Sequence, residues 1–565
     1  MIESGMKKIS LLLARPAMTG FLFLLPILVF GIFFFTYSLN VPWFDDFESI
    51  PYFLQRFLDL PTWPEKAEAL LRPNNEHRVV YARLVVWTYY LLTETINFRM
   101  LMVIGNASFL VVLFLFYRSL RRASLPVWYL LPVLFLLLNA QNQMLTFTAL
   151  FTLQYLAIIM LVFLAVYQLA KNTTAGFVAG IFLAFLTTFS MGNGMLVWAS
   201  GLVMLFYQRQ WIRLAIWGVL MATAVFLYFY GYPVQQGNSE GFAFLTEHYL
   251  QIISGFFVFV GSLFDLVPPW PLAWRSVLPF VAGVVMVIFL AVWSFQRLFR
   301  DHQPPTHWNA FFLGCIVFLI CNAGIVALFR TRFGFGMMLW GSYRAYTMVL
   351  AAVTYLIFIG SRRAGETVRD RWVPVFLLPA VGINLLSYLF GVPMAAENQH
   401  LSRAKAFNQR YNQTGQGGSY HSALGDFIAR NIEVMKKRGW YDLPQPSIAA
   451  GEADLIKPLS GAIESINWAV SDQRDYISLD CEDAAYPPDY AGTLYLLLKS
   501  ENRTYVWATV KRRPSERNPL AVTSGFRSAI PKSIMQPGRY RLGLFDVQKN
   551  GRTITRYTDR FATVE

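Results

Sequence analysis

From Thr19 to Gly391 the chain is a succession of uninterrupted apolar blocks, and such blocks leave few folds open. FLFLLPILVFGIFFF, starting at Phe21, is representative. A bilayer core takes about 20 apolar residues to cross as a helix. A membrane barrel would need short segments of alternating polarity instead, and none is found. Charged residues make only 14% of the chain, against roughly a quarter in a soluble globular protein. The class that follows is mainly α, a polytopic bundle of transmembrane helices.

Spanning helices are predicted near residues 17–38, 97–117, 125–140, 147–169, 174–191, 195–208, 212–231, 276–296, 309–330, 343–361 and 372–392, about 11 in all. The net charge of +15 does not point to nucleic acid, because its Lys and Arg residues gather at helix ends. Arg118, Arg121 and Arg122 form one such cluster, Arg297 and Arg300 another, and Arg362, Arg363, Arg369 and Arg371 a third. This is the positive-inside pattern that sets topology. If the block at 249–267 also spanned, the later clusters would face outward, so it is read as interfacial or re-entrant. The first block has no small-residue cleavage site behind it and is read as a retained helix. The N-terminus is then cytoplasmic and the C-terminus outside.

Three long stretches fall on the outer face: residues 39–96, residues 232–275, and everything after Gly391. The division expected is a membrane domain over 1–392, a helical connector over 393–460, and a soluble β-sandwich over 461–565. The connector carries a Gly-rich break, GQGGS at 415–419, and a helical ALGDFIARNIEVMKKRGWY. Beyond it the period changes to strands: YISLDC, TLYLLLKS, TYVWATVKR, YRLGLFDV and ITRYTDRFATV, with Pro537-Gly538 marking a turn. Three cysteines, Cys315, Cys321 and Cys481, are too few and too dispersed for a disulfide framework.

Four groups of residues could carry chemistry. Asp45, Asp46 and Glu48 follow the first helix directly, among Trp43, Phe44 and Phe47. Adjacent carboxylates at a membrane edge repel one another and lose solvation, which raises a pKa and suits a general base or a metal ligand. The plain alternative is a solvated acidic turn, and the residues alone weigh the two evenly. Further on, Glu76, His77 and Arg78 form a cluster able to hold a phosphate, a sugar hydroxyl or a metal, although an acidic residue opening a helix is also ordinary capping. Arg330, Arg332, Tyr343 and Arg344 flank an outer junction between spans, against the inside bias. Snorkelling explains such arginines cheaply, whereas binding a lipid phosphate uses their bidentate geometry. Gln141-Asn142-Gln143 and Met191-Gly192-Asn193-Gly194 are polar turns at outer helix ends.

WFDDFE at 43–48, NNEHRVVYARL at 74–84, FSMGNGMLVW at 189–198 and WGSYRAYTMVL at 340–350 together resemble the bacterial GT-C membrane glycosyltransferases. The likeness covers roughly residues 17–392 and lies in order and spacing rather than in one strict motif. SGFRSAIP at 524–531 and PGRYRLGLFDV at 537–547 look like a β-domain appended to such enzymes. The resemblance implies a GT-C-like bundle that moves a sugar from a polyprenyl-phosphate carrier to a glycan, lipid or protein acceptor of the cell envelope, with membrane lipids around it. It places the catalytic base on Asp46 or Asp45, favouring Asp46. Arg344, with Arg330 and Arg332, would hold the carrier phosphate, and Glu76 and His77 would orient a sugar. One base without a covalent nucleophile implies inversion in a single displacement. No cofactor is required; a divalent metal near Asp45, Asp46 and Glu48 is compatible with the spacing but not demanded by it.

Phosphate-loop and dinucleotide motifs are absent from the sequence, so no cytoplasmic nucleotide site is expected. The competing reading is a polymerase, ligase or transporter of lipid-linked glycans. A transporter would place charges near mid-membrane, whereas here they lie at the helix ends.

Overall fold

The computed structural model of the chain describes residues 11–74, 77–232, 238–300, 303–361, 366–458, 462–466, 468–487, 494–513, 521–548 and 550–565. Glu76 and the basic pair Arg362-Arg363 lie outside these. The chain divides into two compact units. One comprises Met1–Thr36, Gln55–Val86 and Leu101–Gly391, and the other Tyr37–Leu54, Trp87–Met100 and Val392–Glu565. Parts of residues 39–96 thus group with the C-terminal residues in the second unit.

Hydrocarbon offers no partner to a backbone N–H or C=O, so apolar blocks close these groups within helices. Among the described residues, eight helices are long and apolar enough to cross a membrane: Pro16–Tyr37, Phe98–Arg122, Ala149–Ala170, Trp211–Phe229, Leu272–Arg300, His307–Phe333, Gly341–Gly360 and Asp370–Asn412. Phe21, Ile32, Ile212 and Val219 stand exposed on them, a surface suited to lipid rather than water. Three expected spans are shorter than a crossing requires. Thr174–Thr188 and Gly192–Tyr207 are short apolar helices. The block at 125–140 becomes a 3-10 turn, Val127–Leu130, and a helix, Leu131–Leu137. At its end Asn139 donates its side-chain amide to the Leu136 carbonyl at 2.7 Å, and it accepts the Gln141 N–H at 2.9 Å to cap the next 3-10 turn. The ambiguous block at 249–267 is a helix over Tyr249–Val260, also too short to cross. It packs closely on Leu272–Phe295: a Cβ at Gly261 would stand 2.0 Å from the Pro279 carbonyl oxygen, and one at Gly283 1.9 Å from that of Phe257. Only glycine permits that approach.

Among the described residues of the second unit, nine strands form two sheets. The five-stranded sheet has the order β1-β9-β8-β4-β5, with β1 Ala462–Ile463, β4 Leu494–Lys499, β5 Thr504–Ala508, β8 Gly538–Val547 and β9 Thr553–Val564. The four-stranded sheet has the order β2-β3-β7-β6, with β2 Trp468–Asp472, β3 Tyr476–Cys481, β6 Val510–Lys511 and β7 Phe526–Pro531. Ile477 and Leu479 of β3, Leu496 and Leu498 of β4, Phe526 of β7 and Leu542 of β8 belong to one apolar core shared by both sheets. The chain passes from one sheet to the other at Thr509, between β5 and β6, where its hydroxyl donates to the Leu494 carbonyl at 2.7 Å.

The helix Glu366–Asn412 contributes residues up to Gly391 to the first unit and the remainder to the second. Within the second unit its end lies on the five-stranded sheet, with Ala404 and Phe407 packed among Leu497, Val506 and Phe545. An edge strand leaves backbone groups open to solvent or to another chain. Asn408 closes that of β5: its side-chain amide donates to the Val506 carbonyl at 2.7 Å and accepts the Val506 N–H at 2.9 Å. Asn412 donates to the Thr504 carbonyl at 2.8 Å. Asn408→Ala should leave both Val506 groups buried without partners, at a cost of about 1–3 kcal/mol each. Hydrogen exchange should show β5 amides exchanging faster in this variant while those of β8 stay protected; unchanged exchange at Val506 would refute the clamp.

Candidate functional site

The first unit encloses a cavity of about 410 Å³, whose walls include His77, Asn193, Tyr228, Asn322, Arg330 and Arg332. Met191, Ile325, Val326 and Phe329 give the same cavity an apolar side. No carboxylate is found among its described lining residues. Arg330 closes the helix His307–Arg330, and Arg332 follows in the 3-10 turn Thr331–Phe333. Both guanidinium groups lie near the Phe333 ring, at 5.9 and 4.7 Å from its centre. Tyr343, from the turn Gly341–Tyr343, completes that side with Tyr346 and Tyr155.

His77 reaches the cavity from a reversed segment in which Asn74 and His77 bridge through N–H to carbonyl bonds of 2.7 and 3.0 Å. A Cβ at position 192 would stand 3.2 Å from the His77 Nδ1, so Gly192 makes room for the imidazole. Arg78 sits beside it in sequence but has other work. Its guanidinium donates to the carbonyls of Leu71, Tyr228 and Tyr230 at 2.5, 3.1 and 3.2 Å. Those of Tyr228 and Tyr230 lie at the end of the helix Trp211–Phe229, where a cation also complements the helix dipole. Arg78 is thus a staple, not a cavity wall.

Arg344 is also placed away from the cavity. It is 5% exposed and donates to Asp265 and to the Leu339 carbonyl, the latter at 2.9 Å from Nη2. Arg275 reaches the same carboxylate through Nε and Nη2 at 3.0 and 2.6 Å. The Ser262 and Thr347 hydroxyls add a bond of 3.0 Å. Arg344 therefore ties the start of its helix, which carries Tyr346, to the segment after Tyr249–Val260. The expectation of a phosphate-holding Arg344 missed this because Asp265, the lone acid of GSLFDLV, was not singled out.

The acidic residues belong to the second unit. Asp46 is 0% exposed, and its carboxylate accepts the Trp43 N–H at 2.7 Å while its own N–H donates to the Trp43 carbonyl at 3.0 Å. It builds the turn. Asp45 is half-buried, and its carboxyl is held above the ordinary value of 3.8, first by burial and then by the charge of Glu48. Lys405 stands over the Trp43 ring at 5.0 Å. Phe44 packs on the Gly-rich break, where a Cβ at Gly417, with φ of +149°, would come within 2.7 Å of it. No group of three or more His, Cys, Asp or Glu among the described residues could hold a metal ion.

Sequence reasoning passed over Asn322, Tyr228 and Tyr346. Asn322 had a signal: an amide inside the apolar run CIVFLICNAGIVALF is expensive in hydrocarbon and needs a reason. In the structure Asn193 Nδ2 donates to both Asn322 Oδ1 and Tyr346 Oη, at 2.8 Å each. No protein-family model, curated protein or solved structure matches this chain.

If the Asp265 cluster is structural, Arg344→Ala and Asp265→Asn should both lower the thermal midpoint in detergent. A broken buried pair costs about 3–5 kcal/mol, and the double variant should lose less than the sum of the singles. An Arg344→Ala protein with a wild-type midpoint would contradict this assignment.

Proposed function

We propose that the chain is a membrane glycosyltransferase that moves a sugar from a polyprenyl-phosphate carrier to a glycan, lipid or protein acceptor. The observation that supports this reading is the cavity of the first unit. It pairs Arg330 and Arg332 with an apolar wall and has no carboxylate among its described lining. That combination suits an anionic head on a long hydrocarbon chain. Guanidinium groups hold phosphate oxygens bidentately and stabilise the charge that grows on a departing phosphate. A donor already carried by lipid needs no nucleotide-binding fold, in keeping with the motifs the sequence lacks.

The reaction also needs a base to take the proton of the acceptor hydroxyl as it attacks the anomeric carbon. The resemblance assigns that role to Asp46 or Asp45, and the product would be inverted in a single displacement. The proposed setting is a bacterial inner membrane with the C-terminal unit, folded as a β-sandwich on its helical support, in the periplasm.

Purified variants in nanodiscs, given a polyprenyl-phosphate hexose and envelope lipid acceptors, test the chemistry. Arg332→Gln should lower turnover about 100- to 1,000-fold, as loss of a charge-stabilising donor does. Asp45→Asn should lower it about 100- to 10,000-fold, as loss of a general base does. Because burial and Glu48 raise the Asp45 pKa, the wild-type rate should fall with acidification through a value above 3.8, where the base takes up its proton. Full activity in both variants would end the proposal.

Topology has its own test. Cys481 is 0% exposed and unsuited to labelling, so the exposed Glu501 of the β4–β5 turn is the better position. Glu501→Cys should react with an impermeant thiol reagent in intact spheroplasts; reaction only after lysis would place the unit in the cytoplasm.

A further inference from the structure

The polar chain inside the cavity is incomplete in a specific way. Asn193 Nδ2 serves Asn322 Oδ1 and Tyr346 Oη, leaving Asn193 Oδ1 and Asn322 Nδ2 with no hydrogen-bond partner among the described residues. The Tyr228 hydroxyl has none either. Asn322 is 1% exposed and Tyr228 2%, so bulk water does not serve them. Buried polar groups are ordinarily satisfied, and those that are not call for a ligand or another cause. All three side chains line the same cavity as Arg330 and Arg332.

The chemistry of the open valences narrows the ligand. One amide offers a donor and its neighbour an acceptor. Turning both amides by half a revolution exchanges their roles, yet still leaves one donor and one acceptor open. An ionised phosphate presents only acceptors, so it can satisfy one of the two and is repelled by the other. Hydroxyl groups donate and accept, and a polyol ring presents several side by side. The Tyr228 hydroxyl, itself able to do both, extends the pattern.

We infer that Asn193, Asn322 and Tyr228 form a subsite that reads the hydroxyl groups of a sugar, distinct from the arginines that hold its phosphate. The inference rests on the donor-binding reading of this cavity and assigns specificity to residues outside the charged set. It also accounts for an asparagine inside an apolar helix, since a hydrocarbon side chain at 322 would pack there without leaving an amide unmatched.

The test compares two probes on protein in nanodiscs: a polyprenyl phosphate bearing a hexose and the same polyprenyl phosphate without sugar. The wild type should prefer the sugar-bearing probe. Tyr228→Phe, which removes one oxygen and keeps the ring, and Asn322→Leu should each cut that preference by about tenfold, as expected for hydrogen bonds left unmade in a buried site. A wild-type thermal midpoint for Tyr228→Phe shows that folding is not the cause. No preference in the wild type, or an equal preference in wild type and both variants, overturns the subsite. Affinity for the sugar-free probe in an Arg330→Gln/Arg332→Gln protein is a separate readout. Wild-type affinity there would strike the phosphate reading and not the hydroxyl one.

Discussion

A polar group in hydrocarbon has to find its partner inside the protein, and most of the first unit can be understood from that requirement. Backbone groups meet it by forming helices. Side chains meet it by pairing: Asp265 takes two arginines, Arg78 takes three carbonyls, and Asn384 donates to the carbonyls of Phe135 and Leu138 at 2.8 Å each. Some side chains do not meet it: Asn106 Oδ1, Gln143 Oε1 and Gln208 Oε1 are buried without a partner among the described residues, as are atoms of Asn193, Asn322 and Tyr228, and the last three share one cavity.

The same requirement explains why arginines at helix ends divide into two kinds. An arginine at an outer helix end can snorkel, bind an anion or neutralise a buried acid, and its sequence neighbours do not say which. Arg344 and Arg332 stand in similar surroundings of aromatic and small residues. What separates them is Asp265, remote in sequence yet brought to Arg344 by the turn after Tyr249–Val260. Arg78 and His77 make the parallel case, one consumed by carbonyls and the other lining the cavity.

Legibility followed the range of the forces involved. Local periodicity located the spans from Pro16, Ala149 and His307, the helix Ala423–Lys437, and strand β3 at the residues expected. It failed at 125–140, where composition was apolar enough but the α-helix runs only from Leu131 to Leu137. At the candidate site, the charged residues were visible because charge is rare in this chain. Tyr228 was not, since aromatics make 16% of it and one more carries little information. Asp46 was preferred to Asp45 on a motif resemblance; that its carboxylate accepts the Trp43 N–H and so helps to hold the turn was visible only in the structure.

The second unit shows why the C-terminal residues are more than an attachment. Its acidic turn lies early in the chain, yet the groups that hold the neighbouring segments come from the far end. Tyr441 donates to the Asn40 carbonyl at 2.8 Å across a separation of 401 residues, and its ring meets Phe98 edge-on at 5.1 Å. The Ile96 N–H donates to the Trp440 carbonyl at 2.8 Å, and Asn40 in turn accepts the Phe98 N–H at 2.8 Å. Contacts of such sequence separation carry a large loop-closure cost that local structure cannot offset until the remaining chain is present. The turn that carries Asp45 and Asp46 is therefore flanked by contacts from the far end of the chain: Tyr441 reaches Asn40, and Gly417 of the Gly-rich break meets Phe44.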